Sequence, residues 1–199
     1  MRYVLLMIGL FIFNSCWDKD IRPATGIGKP VTEVSRDTVK DTVLDLPQQV
    51  INASPSSKRI NTGSTTPAEL LDFAKTLIGT PYKYGSVDPS VGFDCSGFLT
   101  YVFNHFNISV PRSSVDFTDV ERTVELTSAK PGDLVLFTGT DSTSRVVGHI
   151  GIITSSGNGV YHFIHSTSGK AMGVTITELG KYYAFRFVKV IRIFPQNDA

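Results

Sequence analysis

One cysteine of this 199-residue chain stands where a cysteine can act as a nucleophile. Cys95 follows Asp94 and precedes Ser96-Gly97, and the run from Gly97 to Phe106 sets Phe98, Val102 and Phe106 at steps of four. That spacing lays an apolar stripe along one side of a helix, with Asp94 as the natural N-cap and Cys95 in the first turn. The positive end of the helix dipole favours a thiolate there, the form of cysteine that attacks carbonyls. The Asp94 carboxylate opposes this effect if it lies close to the sulfur. A partner base is therefore needed from elsewhere in the chain.

Four histidines are available. His105 lies ten positions further along the same helix, roughly 15 Å away by helical rise, which is out of reach. His149, in Gly148-His149-Ile150-Gly151-Ile152, opens an apolar strand between glycines that permit close approach. His162 and His165 are three positions apart on a strand and point to opposite faces. Tyr161, Phe163 and His165 share one face, and His162 and Ile164 share the other. Parity alone does not say which face meets the Cys95 helix. One cysteine and three histidines without a Cys-x-x-Cys or His-x-x-x-His pair do not make a zinc site, so no metal or other cofactor is expected.

The elements that must hold these groups are readable. Thr66 caps a helix with Pro67 at its first position and Glu69 closing a capping box, and its apolar face runs to Ile78 before Gly79. The Cys95 helix runs to about Phe106, and Pro111-Arg112-Ser113-Ser114 opens a polar connection with a short helix to about Val120. Strands follow at Leu134–Phe137, Val146–Thr154 and Gly159–Ser166, the last two joined by a hairpin turn at Ser155–Asn158. Val174–Thr177 reads as an edge segment, and Ala184–Phe194 as a strand that closes the sheet. Helices first and an antiparallel sheet second define an α+β layout.

Nineteen basic against eighteen acidic residues give no nucleic-acid footprint. Arg2 precedes an apolar run from Tyr3 to Phe13 that is too short to span a bilayer as a mature helix. It reads as a signal peptide, and Ser15-Cys16 resembles a lipobox, so residues 1–16 are expected to be processed with Cys16 acylated. An ordinary cleaved signal is the alternative. Residues 17–66 carry scattered prolines among polar residues and read as a flexible tether, leaving 67–199 as the folded domain. No Cys16–Cys95 disulfide is expected.

Five strings resemble the NlpC-type cell-wall cysteine peptidases, in that family's order: Leu77-Ile78-Gly79-Thr80-Pro81-Tyr82-Lys83-Tyr84-Gly85, Phe93-Asp94-Cys95-Ser96-Gly97-Phe98, Pro131-Gly132-Asp133-Leu134, Gly148-His149-Ile150-Gly151-Ile152 and Phe163-Ile164-His165-Ser166. The resemblance implies a circularly permuted papain-like fold and cleavage of amide bonds in peptidoglycan stem peptides through a thioester. It makes Cys95 the nucleophile, His149 the base and acid, and His165 the residue that orients His149. Tyr82 and Ser96 fall on the oxyanion and substrate side, with Tyr84 a competitor for the Tyr82 role and His162 for that of His165. Two departures, Ser86 after Gly85 and Pro89 in the following loop, bear on substrate preference. The bond is expected to be γ-D-glutamyl–diaminopimelate or D-alanyl–diaminopimelate. A monomer on the cell envelope, anchored to the membrane through Cys16, is the expected state. A non-catalytic wall-binding module, or an amidase or acyltransferase on the same fold, are the other classes considered.

Overall fold

The computed structural model describes residues 58–120, 122–141 and 143–199. Helix α1 (Pro67–Thr76) starts as the residues dictate: the Glu69 amide donates to the Thr66 hydroxyl and the Glu69 carboxylate accepts from the Thr66 amide at 2.8 Å. It ends at Thr76, short of Gly79, because the Leu77 amide folds back onto the Ala74 carbonyl and the Ile78 amide onto that of Lys75. Strands β1 (Val87–Asp88) and β2 (Gly92–Phe93) make a small hairpin before helix α2 (Cys95–His105). Gly92 has φ +122° and a Cβ there would lie 2.4 Å from the Pro81 carbonyl oxygen, so this corner requires glycine. Residues 58–66, expected as the end of the tether, lie against the domain: Lys58 bridges Val120, Ile60 packs on the core and Thr62 is buried.

The remaining strands are β3 (Thr123–Val124), β4 (Leu134–Thr138), β5 (Val147–Gly157), β6 (Val160–Thr167), β7 (Gly173–Glu178) and β8 (Phe187–Ile191), with helix α3 (Lys181–Arg186) before β8. They form one antiparallel sheet in the order β3-β8-β4-β5-β6-β7. The β5–β6 turn lies at Asn158-Gly159, with φ of 51° and 76°, rather than at Ser155–Asn158. Asn-Gly is the pair best able to hold two left-handed residues in a tight hairpin.

Two further expectations change. Residues 184–186 are helical rather than strand, and β8 lies between β3 and β4 instead of at the edge that closes a sheet. The helix resolves a conflict of periods. Tyr183 and Phe187, four apart, both pack on the apolar cluster of Val135, Phe137, Ile153, Phe163 and Val190, whereas Phe185 is 70% exposed. A strand would have put all three on one face.

The sheet has two apolar faces. Leu134, Leu136, Ile150, Ile152, Ile164 and Ile191 face α1 and α2, while Val135, Phe137, Ile153, Phe163 and Val190 form the second cluster, on the side of Tyr183. Parity then places His149 and His165 on the second face, opposite the face on which α2 packs. The β5–β6 ladder runs from Gly157↔Val160 only to Ile152↔Ile164, although β5 continues on β4 to Val147 and β6 continues on β7 to Thr167. The sheet is thus open between its fourth and fifth strands.

Asp133 is fully buried beside β4, where its carboxylate accepts from Arg192 at 3.1 and 2.9 Å, from Asn197 at 3.1 Å and from the Lys130 amide at 2.9 Å. Breaking a buried pair strands the remaining charge, at a cost of about 3–5 kcal/mol. Asp133→Ala is therefore expected to lower the unfolding free energy by about that amount, measured by urea titration at pH 7.5. A loss below about 1 kcal/mol would count against this role.

Candidate active site

The Cys95 helix starts where several groups meet. Asp94 accepts from the Gly97 amide as the N-cap, so its carboxylate does lie next to the cysteine. Arg112 holds that carboxylate from the side, with Nη2 to Oδ2 at 2.8 Å and Nη1 to Oδ1 at 3.1 Å, and Nη1 also donates to the Ser96 hydroxyl at 3.0 Å. Gly97 is required by packing: a Cβ there would lie 2.0 Å from the Ser86 carbonyl oxygen, which also accepts from the Asp94 amide.

The Cys95 thiol is pushed up from its usual range, chiefly by burial and then by the Asp94 carboxylate. The amides of Ser96, Ile150 and Cys95 itself pull in the other direction and do not overcome it. The contact from Ile150 depends on the opening in the sheet, because that amide has no partner across the β5–β6 ladder.

His149 approaches from the other face. Its Nε2 lies 2.7 Å from His165 Nδ1, and His165 Nε2 lies 2.9 Å from the Thr177 hydroxyl. With Nε2 engaged, Nδ1 is the nitrogen left to serve the cysteine. If it is to accept a proton there, His149 must carry hydrogen on Nε2 and donate to His165, which in turn donates to Thr177. Gly151 makes room for this chain, since a Cβ there would lie 2.6 Å from the Phe163 ring and 3.2 Å from His165 Cβ. Phe163 and Tyr183 pack on the His165 ring, which is fully buried. Burial first, then the charge of Arg186, pulls His165 down to about 3. His149 is lowered well below its usual value by burial, then by His165 and Arg186.

Cys95, His149 and Tyr82 line one cleft of about 970 Å³. The ionisation of Tyr82 is pushed up by burial, then by Cys95 and Asp94, with Ser168 acting in the other direction. Tyr84 is 85% exposed and lies outside this cleft. Ser96 departs from the expected oxyanion and substrate side, because its buried hydroxyl turns to Asp94 and Arg112 while only its amide stays by the sulfur. His162 bonds the Ser155 hydroxyl at 3.1 Å, and His105 stacks on Phe73 at 3.6 Å between ring centres. Neither lines the cleft. Cys16 lies outside the described residues.

Sequence reasoning missed Arg112, Thr177, Tyr183 and Arg186. Alternation of Thr175 and Thr177 with Val174 and Ile176 marks a polar strand face, but nothing local says that it meets His165. Arg112 lies in a segment that reads only as a polar connection.

Residues 79–192 match the NlpC/P60 family, and the chain belongs to it. The gamma-DL-glutamyl hydrolase of Bacillus subtilis (strain 168) is 34% identical over 120 residues, 60% of this chain and 28% of that protein. The probable endopeptidase NlpC of Escherichia coli (strain K12) is 31% identical over 133 residues, 66% of this chain and 80% of that protein. The crystal structure of an NlpC/P60 family protein from Bacillus cereus ATCC 10987 matches with a TM-score of 0.59 at 25% identity, covering 68% of this chain and 42% of that one. The chain thus spans less than half the length of the first and third of these proteins, and the structural likeness supports the α+β, papain-like reading.

The buried histidines bind fewer protons folded than unfolded. Their contribution to stability is complete above the unfolded value near 6.5 and is lost as the pH falls toward the folded one, about 3 for His165. Between pH 6.5 and 5 each such histidine contributes a slope of up to about 1.4 kcal/mol per pH unit. His165→Gln, which keeps a hydrogen-bonding side chain but does not titrate, is expected to flatten the fall in urea midpoint over that range. An unchanged slope would refute the buried neutral assignment.

Proposed function

We propose that the protein is a peptidoglycan hydrolase, a cysteine endopeptidase that cuts amide bonds in stem peptides. The observation that carries this reading is the cleft in which Cys95, at the start of α2, meets the side chain of His149, itself held by His165 and Thr177. The thiol and the imidazole rest neutral, because burial raises one and lowers the other. Proton transfer from Cys95 to His149 Nδ1 therefore accompanies attack of the sulfur on the carbonyl carbon. The Cys95 amide and the Tyr82 hydroxyl are the donors nearest the oxyanion. The tetrahedral species collapses to a thioester as His149 returns the proton to the leaving amine, and water, activated by the same imidazole, releases the acid. The name of one relative, the probable peptidoglycan endopeptidase LytE of Bacillus subtilis (strain 168), favours a cell-wall substrate. We place the protein on the cell envelope as a lipoprotein, acylated on Cys16 and monomeric.

Cys95→Ser is expected to abolish hydrolysis of purified sacculi while leaving the circular dichroism spectrum unchanged. His165→Ala should cost orders of magnitude in turnover, since His149 then lacks the partner that sets its tautomer, and His162→Ala should cost little. An inactive His162→Ala beside an active His165→Ala would reassign the orienting residue.

Anchoring has its own test. Metabolic labelling with a fatty acid is expected to mark the wild-type protein and not Cys16→Ala. An unlabelled wild-type protein recovered free of membranes would establish an ordinary cleaved signal instead.

A further inference from the structure

The cleft carries a charge imbalance that the hydrolytic residues do not explain. Its lining includes Arg186 and Lys170 but no aspartate or glutamate. Arg186 sits in the last turn of α3, and its guanidinium is already fixed in place. Nε and Nη2 donate to the Thr138 carbonyl at 3.2 and 2.7 Å, and Nη1 donates to the Tyr182 hydroxyl at 2.9 Å. The group also lies over the Tyr182 and Tyr183 rings, 5.1 and 5.6 Å from their centres. Every one of these partners is neutral. Among the described residues no carboxylate lies within ion-pair distance of Arg186, whereas Arg112, Arg122 and Arg192 each have one. A guanidinium has five N–H donors, and three are used, so two remain for a ligand.

We propose that Arg186 is a specificity residue that binds a substrate carboxylate on the leaving-amine side of the scissile bond. This rests on the peptidase reading above and goes beyond it by naming the group recognised. A planar fork with prepaid rotamer order is the geometry that suits a carboxylate, and Lys170 adds a second positive charge to the cleft. The side follows from where Arg186 sits: over the Tyr183 ring, which stacks on His149 with centres 6.1 Å apart and meets His165 edge-on. His149 hands its proton to the departing amine, so a carboxylate paired with Arg186 belongs to the residue that supplies that amine. In either bond considered for the stem peptide that residue is diaminopimelate, which carries carboxyl groups. Pairing also removes a penalty: an unpaired cation opposes the imidazolium that must form during attack, and a bound carboxylate offsets it.

The test compares muropeptides whose diaminopimelate carboxyl groups are free with the same peptides amidated there. Wild type is expected to prefer the free acid by roughly ten- to hundredfold in kcat/KM, the size of a hydrogen bond to a charged group. Arg186→Gln should bring that ratio close to one, and Arg186→Lys should keep part of it. A merely structural role for Arg186 would lower both substrates alike and leave the ratio unchanged, which would overturn the proposal. So would a wild type that treats the two peptides equally, or one that discriminates only at the carboxylate of the acyl-side D-glutamate. Calorimetry on Cys95→Ala with the same pair reads recognition without hydrolysis. Preferential binding of the acid, lost in Cys95→Ala/Arg186→Gln, would support the proposal even if wild type cut neither peptide, an outcome that would sink the peptidase reading alone. Binding of neither peptide would overturn both.

Discussion

A thiol carried on one face of a sheet can meet an imidazole carried on the other only where the sheet is open. The end of the β5–β6 ladder at Ile152↔Ile164 supplies that opening. Helix α2 packs on the Ile150, Ile152 and Ile164 side, and His149 and His165 sit with Phe137 and Phe163 on the reverse. Closing the ladder would draw the Ile150 amide into a sheet hydrogen bond and take it from the sulfur. Both strands keep their outer neighbours past the opening, β5 on β4 and β6 on β7, so the gap costs only the pairs between them. Gly151 sits where the ladder ends, and its missing side chain is what lets Phe163 and His165 close over the strand.

Electrostatics at the helix start are a contest with a clear result. First-turn amides and the dipole favour a thiolate, typically by less than about 1 kcal/mol at an exposed terminus. Burial and the Asp94 carboxylate act against them and prevail. Asp94 cannot be dispensed with, because it caps the helix that carries the cysteine. Arg112 reconciles the two demands: it pairs with the carboxylate and lessens the field at the sulfur without removing the cap. Burial thus favours the neutral thiol of Cys95 just as it favours the neutral imidazole of His149.

Local rules made much of this legible. The Thr66–Glu69 capping box, the Asp94 cap and the four-residue spacing of Phe98, Val102 and Phe106 are short-range signals, and the structure follows them. The Asn158-Gly159 turn was equally local and was misplaced only because β5 runs further than its apolar core, through Ser155 and Ser156 to Gly157. Residues 184–186 failed for a different reason. Their apolar content suits a strand, but a cluster on the second face selects Tyr183 and Phe187 together and turns the segment into a helix. Strand parity separated His165 from His162 correctly, yet could not tell that the helix and the histidines use opposite faces, since that depends on where a ladder ends. Arg112, Thr177 and Arg186 meet the site from 12 to 48 positions away from their partners, and no local pattern encodes such meetings.

The buried and half-buried charges of the fold divide by how completely they are satisfied. Asp133 and Arg192 are buried together as an ion pair, and Asn197, the Lys130 amide and the Ser128 carbonyl add hydrogen bonds to them. Their charges cancel there, and the cluster ties β4 to the C-terminal residues. Arg186 is held by a carbonyl, a phenol and two aromatic faces, all of them neutral. Its position is as determined as that of Arg192, but its charge is not cancelled, and it adjoins the two histidines whose protonation it opposes. For folding alone, an uncompensated cation beside buried imidazoles is a cost. It is tolerable only where solvent or a ligand can reach it, and that is the difference between a residue that completes a core and one that leaves a site open for an anion.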